Sequence, residues 1–212
     1  MYADRANPVS AAQAAVLWSD ALEANPRDVD AAWKLARVSY WLGGHAPRSE
    51  RRSHLERGIE AARAAVALEP TRPEGHFWLA ANMGTLAESF GLRNGLRYRG
   101  AVKKELETVL ALDPAFMEGS ADRVLGRWHY RVPRLFGGSN RRAEEHLRAS
   151  LKYNEQSVLS RFFLAEVLID EDRDAEARAE LQKVIDAPLS VEWAPEDAEY
   201  KARARALLER MR

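Results

Sequence analysis

The stretch that decides the fold class is Leu68-Glu69-Pro70-Thr71-Arg72-Pro73-Glu74-Gly75-His76-Phe77-Trp78-Leu79-Ala80. Proline lacks an N–H and disfavours helical backbone in the residue before it, so Leu68-Glu69-Pro70 reads as the end of one helix. Pro73 is suited to the first turn of the next. The pattern recurs. Leu22-Glu23-Ala24-Asn25-Pro26 and Leu112-Asp113-Pro114 end helices in the same way, and Pro26, Pro70 and Pro114 stand 44 residues apart. Leu35-Ala36 follows Pro26 at the offset at which Leu79-Ala80 follows Pro70. Leu125-Gly126 follows Pro114 with two extra residues, and Leu164-Ala165 follows Glu155 at the first offset. Elsewhere the apolar residues recur at period 3.6, and no strand-like alternation of five residues occurs. The expected fold class is all-α.

A small residue beside leucine, placed where two helices must approach closely, with proline stopping the second helix of each pair, is the tetratricopeptide pattern. Such repeats are usually about 34 residues long, so a spacing of 44 predicts longer helices or inserted loops, the latter at Gly43–Ser49 and Gly91–Gly95. Ten helices are expected as five hairpins over 8–42, 48–90, 96–130, 140–169 and 174–211, forming one superhelical domain over 1–212. Ser10 and Gln13 have the spacing of a capping box at the start of the first helix.

Composition excludes several functions. The 212 residues carry 32 basic and 32 acidic side chains and no cysteine, which rules out disulfides, thiolate metal sites and a cysteine nucleophile. The balanced charge argues against general nucleic-acid binding. No apolar run is long enough to span a bilayer. The N-terminus lacks the basic and apolar regions of a signal peptide. The protein is therefore expected to be either cytoplasmic or a mature form whose leader has been removed.

Some residues are out of keeping with a plain amphipathic helix. The segment from Pro73 to Phe90 is apolar on nearly all sides, which predicts burial on both. Within it Asn82 either bonds a neighbouring backbone or, with Trp78, faces a ligand cavity. Glu166 borders the apolar face of its helix and needs a cation, which Arg161 or Arg123 could supply; ligand contact is the alternative. Arg123, Arg127 and Arg131 recur every fourth residue with Tyr130 beside them. They form either a solvated basic face or a site for an anionic headgroup or an acidic partner protein. The two glycines of the following loop, Leu135-Phe136-Gly137-Gly138-Ser139-Asn140, permit positive φ, and Ser139 or Asn140 can cap the next helix.

Charge is also segregated. Residues 91–142 hold 11 basic and 5 acidic side chains, whereas 143–200 hold 6 basic and 15 acidic. This suits docking between unlike surfaces, including copies of the same chain. The catalytic search is nearly empty: the five histidines show no zinc-binding spacing, and there is no nucleophile elbow or phosphate-cradling loop. No cofactor is expected. An enzyme using Glu166 and His129 is the least supported alternative.

The blocks Pro73 to Ala80, Tyr98-Arg99-Gly100, Arg123-Val124-Leu125-Gly126, Val132-Pro133-Arg134-Leu135-Phe136-Gly137-Gly138, Leu164-Ala165-Glu166 and Trp193-Ala194-Pro195-Glu196-Asp197 resemble the TRAP-transporter T-component family over roughly 50–210. Trp33-Lys34-Leu35-Ala36-Arg37 and the Glu74-to-Trp78 block are also similar to the tetratricopeptide domain of the regulators of microtubule dynamics. The T-component resemblance implies a periplasmic lipoprotein of helical repeats that forms trimers and associates with a transporter's solute-binding protein. It also implies an apolar internal pocket. The expected function is a non-enzymatic adaptor that docks a partner protein and holds an apolar small molecule or lipid; the alternative is an interaction scaffold without a small ligand. Trp78, Asn82, Arg123, Arg127, Tyr130 and Glu166 are the candidate binding residues.

Overall fold

A computed structural model describes residues 2–211, the side chains of 92–94 excepted. The described residues form ten α-helices, two 3-10 turns and no strand. The helices are α1 (Pro8–Ala24), α2 (Val29–His45), α3 (Arg51–Leu68), α4 (Pro73–Ser89), α5 (Leu92–Leu112), α6 (Phe116–Arg131), α7 (Asn140–Ser150), α8 (Val158–Asp170), α9 (Asp174–Asp186) and α10 (Ala194–Arg210).

The three proline stops act through the residue before each proline. Asn25, Glu69 and Asp113 have φ of −139°, −137° and −154°, which takes the backbone out of the helix as a following proline requires. The helix starts are local as well: Asn7, Asp28, Ser139 and Ser157 each accept a hydrogen bond from a backbone N–H in the first turn, satisfying donors that the helix leaves open. Ser10 does not act in a capping box with Gln13. Asn7 Oδ1 takes the Val9 N–H at 3.0 Å, and the Ser10 hydroxyl donates to Asp4 at 2.8 Å.

Neither expected insertion takes the form of a loop over its whole span. Gly43 and Gly44 lie inside α2, leaving only 46–50 as a connection, and α5 begins directly after Gly91, whose φ is +88°. The longer repeat comes from the helices, with 18 residues in α3 and 21 in α5.

The chain divides at the third Leu-x-Pro stop into two compact units, Met1–Asp113 and Pro114–Arg212. In the first, α2 packs on α1, α3 and α4, and α4 packs on α3 and α5. In the second, α6, α8 and α10 form one layer and α7 and α9 the other, with α8 touching all four of its neighbours. The small-residue steps sit where the helices cross: Ala36, Ala80 and Ala165 are fully buried, and a Cβ on Gly126 would fall 2.5 Å from Leu147 Cγ. The core of the second unit is built from Leu147, Phe162, Leu164, Leu168, Leu181 and Val184.

A charged cluster at the surface ties α7 to the start of α9. Glu144 takes Arg173 and Arg148, each at 2.7 Å. Burial alone would raise the Glu144 carboxyl, but the hydrogen bonds and charges of the two arginines outweigh it and hold the group below its ordinary 4.5. A carboxylate depressed on folding stabilises the fold above its unfolded pKa, and that contribution is lost as pH falls through the lower folded value. Glu144→Gln is therefore expected to flatten the acid limb of a stability–pH curve measured by urea unfolding. A curve parallel to wild type would show that the cluster contributes nothing there.

Candidate functional site

Three of the residues expected from the sequence come together on the α6–α8–α10 layer of the second unit. Arg127 Nη1 meets Glu166 Oε2 at 2.5 Å. The Arg127 guanidinium also lies 4.8 Å over the ring of Phe163. One turn on, burial, then the Asp170 and Glu166 charges beside it, push the Tyr130 phenol up to about 12. Glu166 and Asp170 are four residues apart on α8, and Arg127 and Tyr130 three apart on α6, so each pair shares one helix face.

α10 completes the surface. Tyr200 packs edge-on against Phe162 and Phe163 at 5.1 and 5.5 Å, and the Arg203 guanidinium covers the Tyr200 and Phe162 rings at 4.5 and 4.9 Å. Burial raises the Tyr200 phenol despite the opposing pull of Arg203 and Arg127. Both phenols are therefore neutral donors at ordinary pH. The face presents two guanidiniums, two carboxylates and two hydroxyls on an aromatic floor. Cation–π contacts of this kind contribute about 0.5–1 kcal/mol when exposed and about 2 when dry.

The cation for Glu166 is Arg127, not Arg161 or Arg123. Arg161 points to α9, where it pairs with Glu180 at 2.5 Å. Arg123 is buried and sits near Asp197, whose carboxyl burial raises. The arginine row of α6 is thus not a uniform solvated face: Arg123 is buried, Arg127 half-buried, and Arg131 alone exposed.

Trp78 and Asn82 belong to the first unit and lie in its core, 2% and 0% exposed. Asn82 Nδ2 donates to the carbonyls of Ala36 and Trp78 at 3.0 and 2.8 Å, and the Trp78 indole packs against Tyr40 and Phe77 at 5.6 and 5.1 Å. His129 is 2% exposed and stacks on His146, which pairs with Asp122 at 2.7 Å. Among the described residues no group of three or more histidine or carboxylate side chains could hold a metal. An open groove of about 650 Å³ runs along α1, lined by Pro8, Val9, Ala12, Gln13, Val16, Leu17 and Asp20; the sequence reading did not single it out.

Fold and surface together define a tetratricopeptide-type protein of stacked helical hairpins. A family model described as TRAP transporter T-component matches residues 74–212, and one described as Regulator of microtubule dynamics protein 1-3 matches residues 3–136. The chain belongs to both of these families, whose models overlap across α4 to α6. Regulator of microtubule dynamics protein 3 of Bos taurus is 31% identical over 140 residues, and that of Rattus norvegicus 29% identical over 140; each alignment covers 66% of this chain and 29% of the relative. The chain thus spans less than a third of the length of these relatives. A thermophilic TPR protein of Thermus thermophilus superposes with a TM-score of 0.72 at 22% identity over 97% of this chain and 95% of its own. MamA does so with a TM-score of 0.55 at 16% identity over 96% and 91%. At these identities the likeness speaks to the fold alone. No helix among the described residues is long and apolar enough to cross a membrane.

Proposed function

We propose that the protein is a non-catalytic adaptor of the T-component type, which docks a partner protein on the α6–α8–α10 face. The observation that carries this reading is the convergence of Arg127–Glu166, Tyr130–Asp170 and the Phe163–Tyr200–Arg203 stack on one layer of helices. Arginine and tyrosine on a partly desolvated aromatic floor are the residue types that dominate protein–protein recognition. The family, a TRAP transporter component, supports the solute-binding protein of such a transporter as the partner and the periplasm as the place. An apolar ligand at Trp78 and Asn82 forms no part of this reading, because both side chains are enclosed by protein.

The test is calorimetric titration of the purified chain with the solute-binding protein of a TRAP-type transporter from the same organism. Arg203 has a side chain 42% exposed, so Arg203→Glu is expected to keep the melting temperature while weakening binding about tenfold or more. Undiminished affinity for Arg203→Glu and for Arg127→Gln alike would reject this face as the docking surface.

A further inference from the structure

The connection between α6 and α7 is a built protrusion rather than a slack loop. After Arg131 the chain makes a 3-10 turn over Arg134–Phe136. Backbone bonds close it from Phe136 and Gly138 to Pro133, from Gly137 to Arg134, and from Ser139 to His129, at 2.8 to 3.2 Å. Trp128 lies against the turn, its ring 3.6 Å from where a Cβ on Gly137 would stand. On this fixed turn Leu135 is 87% exposed and Phe136 36%. Folding has therefore ordered an apolar side chain in water without burying it.

The surroundings of Leu135 are cationic. From Arg131 to Arg142 there are four arginines and no carboxylate, and all four are exposed. Carboxylates approaching from the neighbouring elements are engaged: Glu145 by Arg141 at 2.8 Å, Glu144 by Arg148 and Arg173, and Glu171 by Asn140 at 2.6 Å. Asp172 follows Glu171 in the α8–α9 turn, which the Asn140 contact brings beside the start of α7. The α9–α10 connection makes the contrast. It also exposes apolar side chains, Leu189 at 54% and Val191 at 103%, but Asp186, Glu192 and Glu196 flank them.

We propose that the α6–α7 turn docks on an anionic lipid bilayer, with Leu135 entering the acyl boundary and Arg131, Arg134 and Arg142 meeting the headgroups. One apolar tip within a ring of arginines suits a flat charged interface, where each cation near the surface adds attraction and the tip adds to it in proportion to the apolar area it buries. A bilayer explains both the exposed leucine and the missing carboxylates. The proposal uses none of the residues named for the α6–α8–α10 face and does not depend on that face's role.

The experiment is co-sedimentation of the whole chain with vesicles of phosphatidylcholine alone or with about one-third phosphatidylglycerol. Binding to the anionic vesicles is expected to be at least about tenfold tighter and to be lost when salt rises from about 0.05 to about 0.5 M. Leu135→Asp and Arg134→Glu should each weaken it about tenfold, and Asp172→Lys should strengthen it a few-fold. Leu135→Ser serves as the apolar-tip variant if Leu135→Asp alters the thermal melt. Equal binding to both vesicle types, binding to neither, or binding unaffected by both Leu135 variants would overturn the proposal. Retention by polyglutamate without binding to vesicles would also overturn it and assign the turn to an acidic protein.

Discussion

Gly58→Ala is expected to lower the free energy of unfolding by about 2–4 kcal/mol, although alanine is the better helix former by about 1 kcal/mol. Gly58 lies in α3 against α4. A Cβ there would fall 2.2 Å from Asn82 Oδ1 and 2.6 Å from its Cγ. The amide cannot step aside freely, because Asn82 is fully buried and its Nδ2 holds the Ala36 and Trp78 carbonyls. Its Oδ1 has no conventional donor among the described residues and rests against the glycine Cα, the close approach that a Cα–H···O contact needs. Admitting the methyl means overpacking, at about 1–3 kcal/mol, or surrendering buried hydrogen bonds, at about 1–3 kcal/mol. A double-mutant cycle separates this clash from a general helix effect. Asn82→Ala alone should destabilise, but in that background Gly58→Ala should be neutral or stabilising by up to about 1 kcal/mol. Additive losses in urea unfolding would mean that Asn82 is not what excludes the methyl.

Asn82 also shows where reading the chain alone stops. The stops at Pro26, Pro70 and Pro114 were legible because proline acts on its own residue and the one before it, whatever packs nearby. The leucine–alanine and leucine–glycine steps were legible because close helix crossings demand small residues. Gly91 to Gly95 misled for the complementary reason. Glycine weakens a helix locally, yet Tyr98, Val102, Leu106 and Val109 bury one face of α5, and a buried stripe of this kind outweighs about 1 kcal/mol of propensity. The candidate site divides in the same way. Glu166 announced itself as a carboxylate at the edge of an apolar face, and Arg127 and Tyr130 as part of the arginine row of α6. Tyr200 and Arg203 did not, since nothing local to α10 tells that it lies beside α8. Charge segregation proved to be partly internal: Arg127 from the basic stretch neutralises Glu166 from the acidic one within a single unit.

Gly138→Ala is expected to cost more than any other single methyl added to the second unit, about 3–5 kcal/mol, and more than Gly137→Ala. Two adjacent glycines invite the reading that both are needed for positive φ, but only Gly137 has it, at +104°. Its conformational cost on substitution is about 1–2 kcal/mol, and a Cβ there would meet nothing closer than Trp128 at 3.6 Å. Gly138 is required for space. A Cβ on it would stand 1.6 Å from the Val132 carbonyl oxygen, 2.7 Å from Val132 C and 3.1 Å from the His129 oxygen. These are backbone atoms that no rotamer change can move, and the His129 oxygen already accepts the Ser139 N–H at 2.8 Å. The turn would have to open, losing that bond and displacing Ser139 from its cap on the Arg142 N–H, at about 1 kcal/mol for each. Hydrogen exchange at the first turn of α7 should accelerate together with the loss of global stability, while the amides of α2 and α4 keep their protection. If Gly137→Ala proved the more damaging of the two, the turn would be governed by its left-handed residue, and crowding at Val132 would not explain why glycine stands at 138.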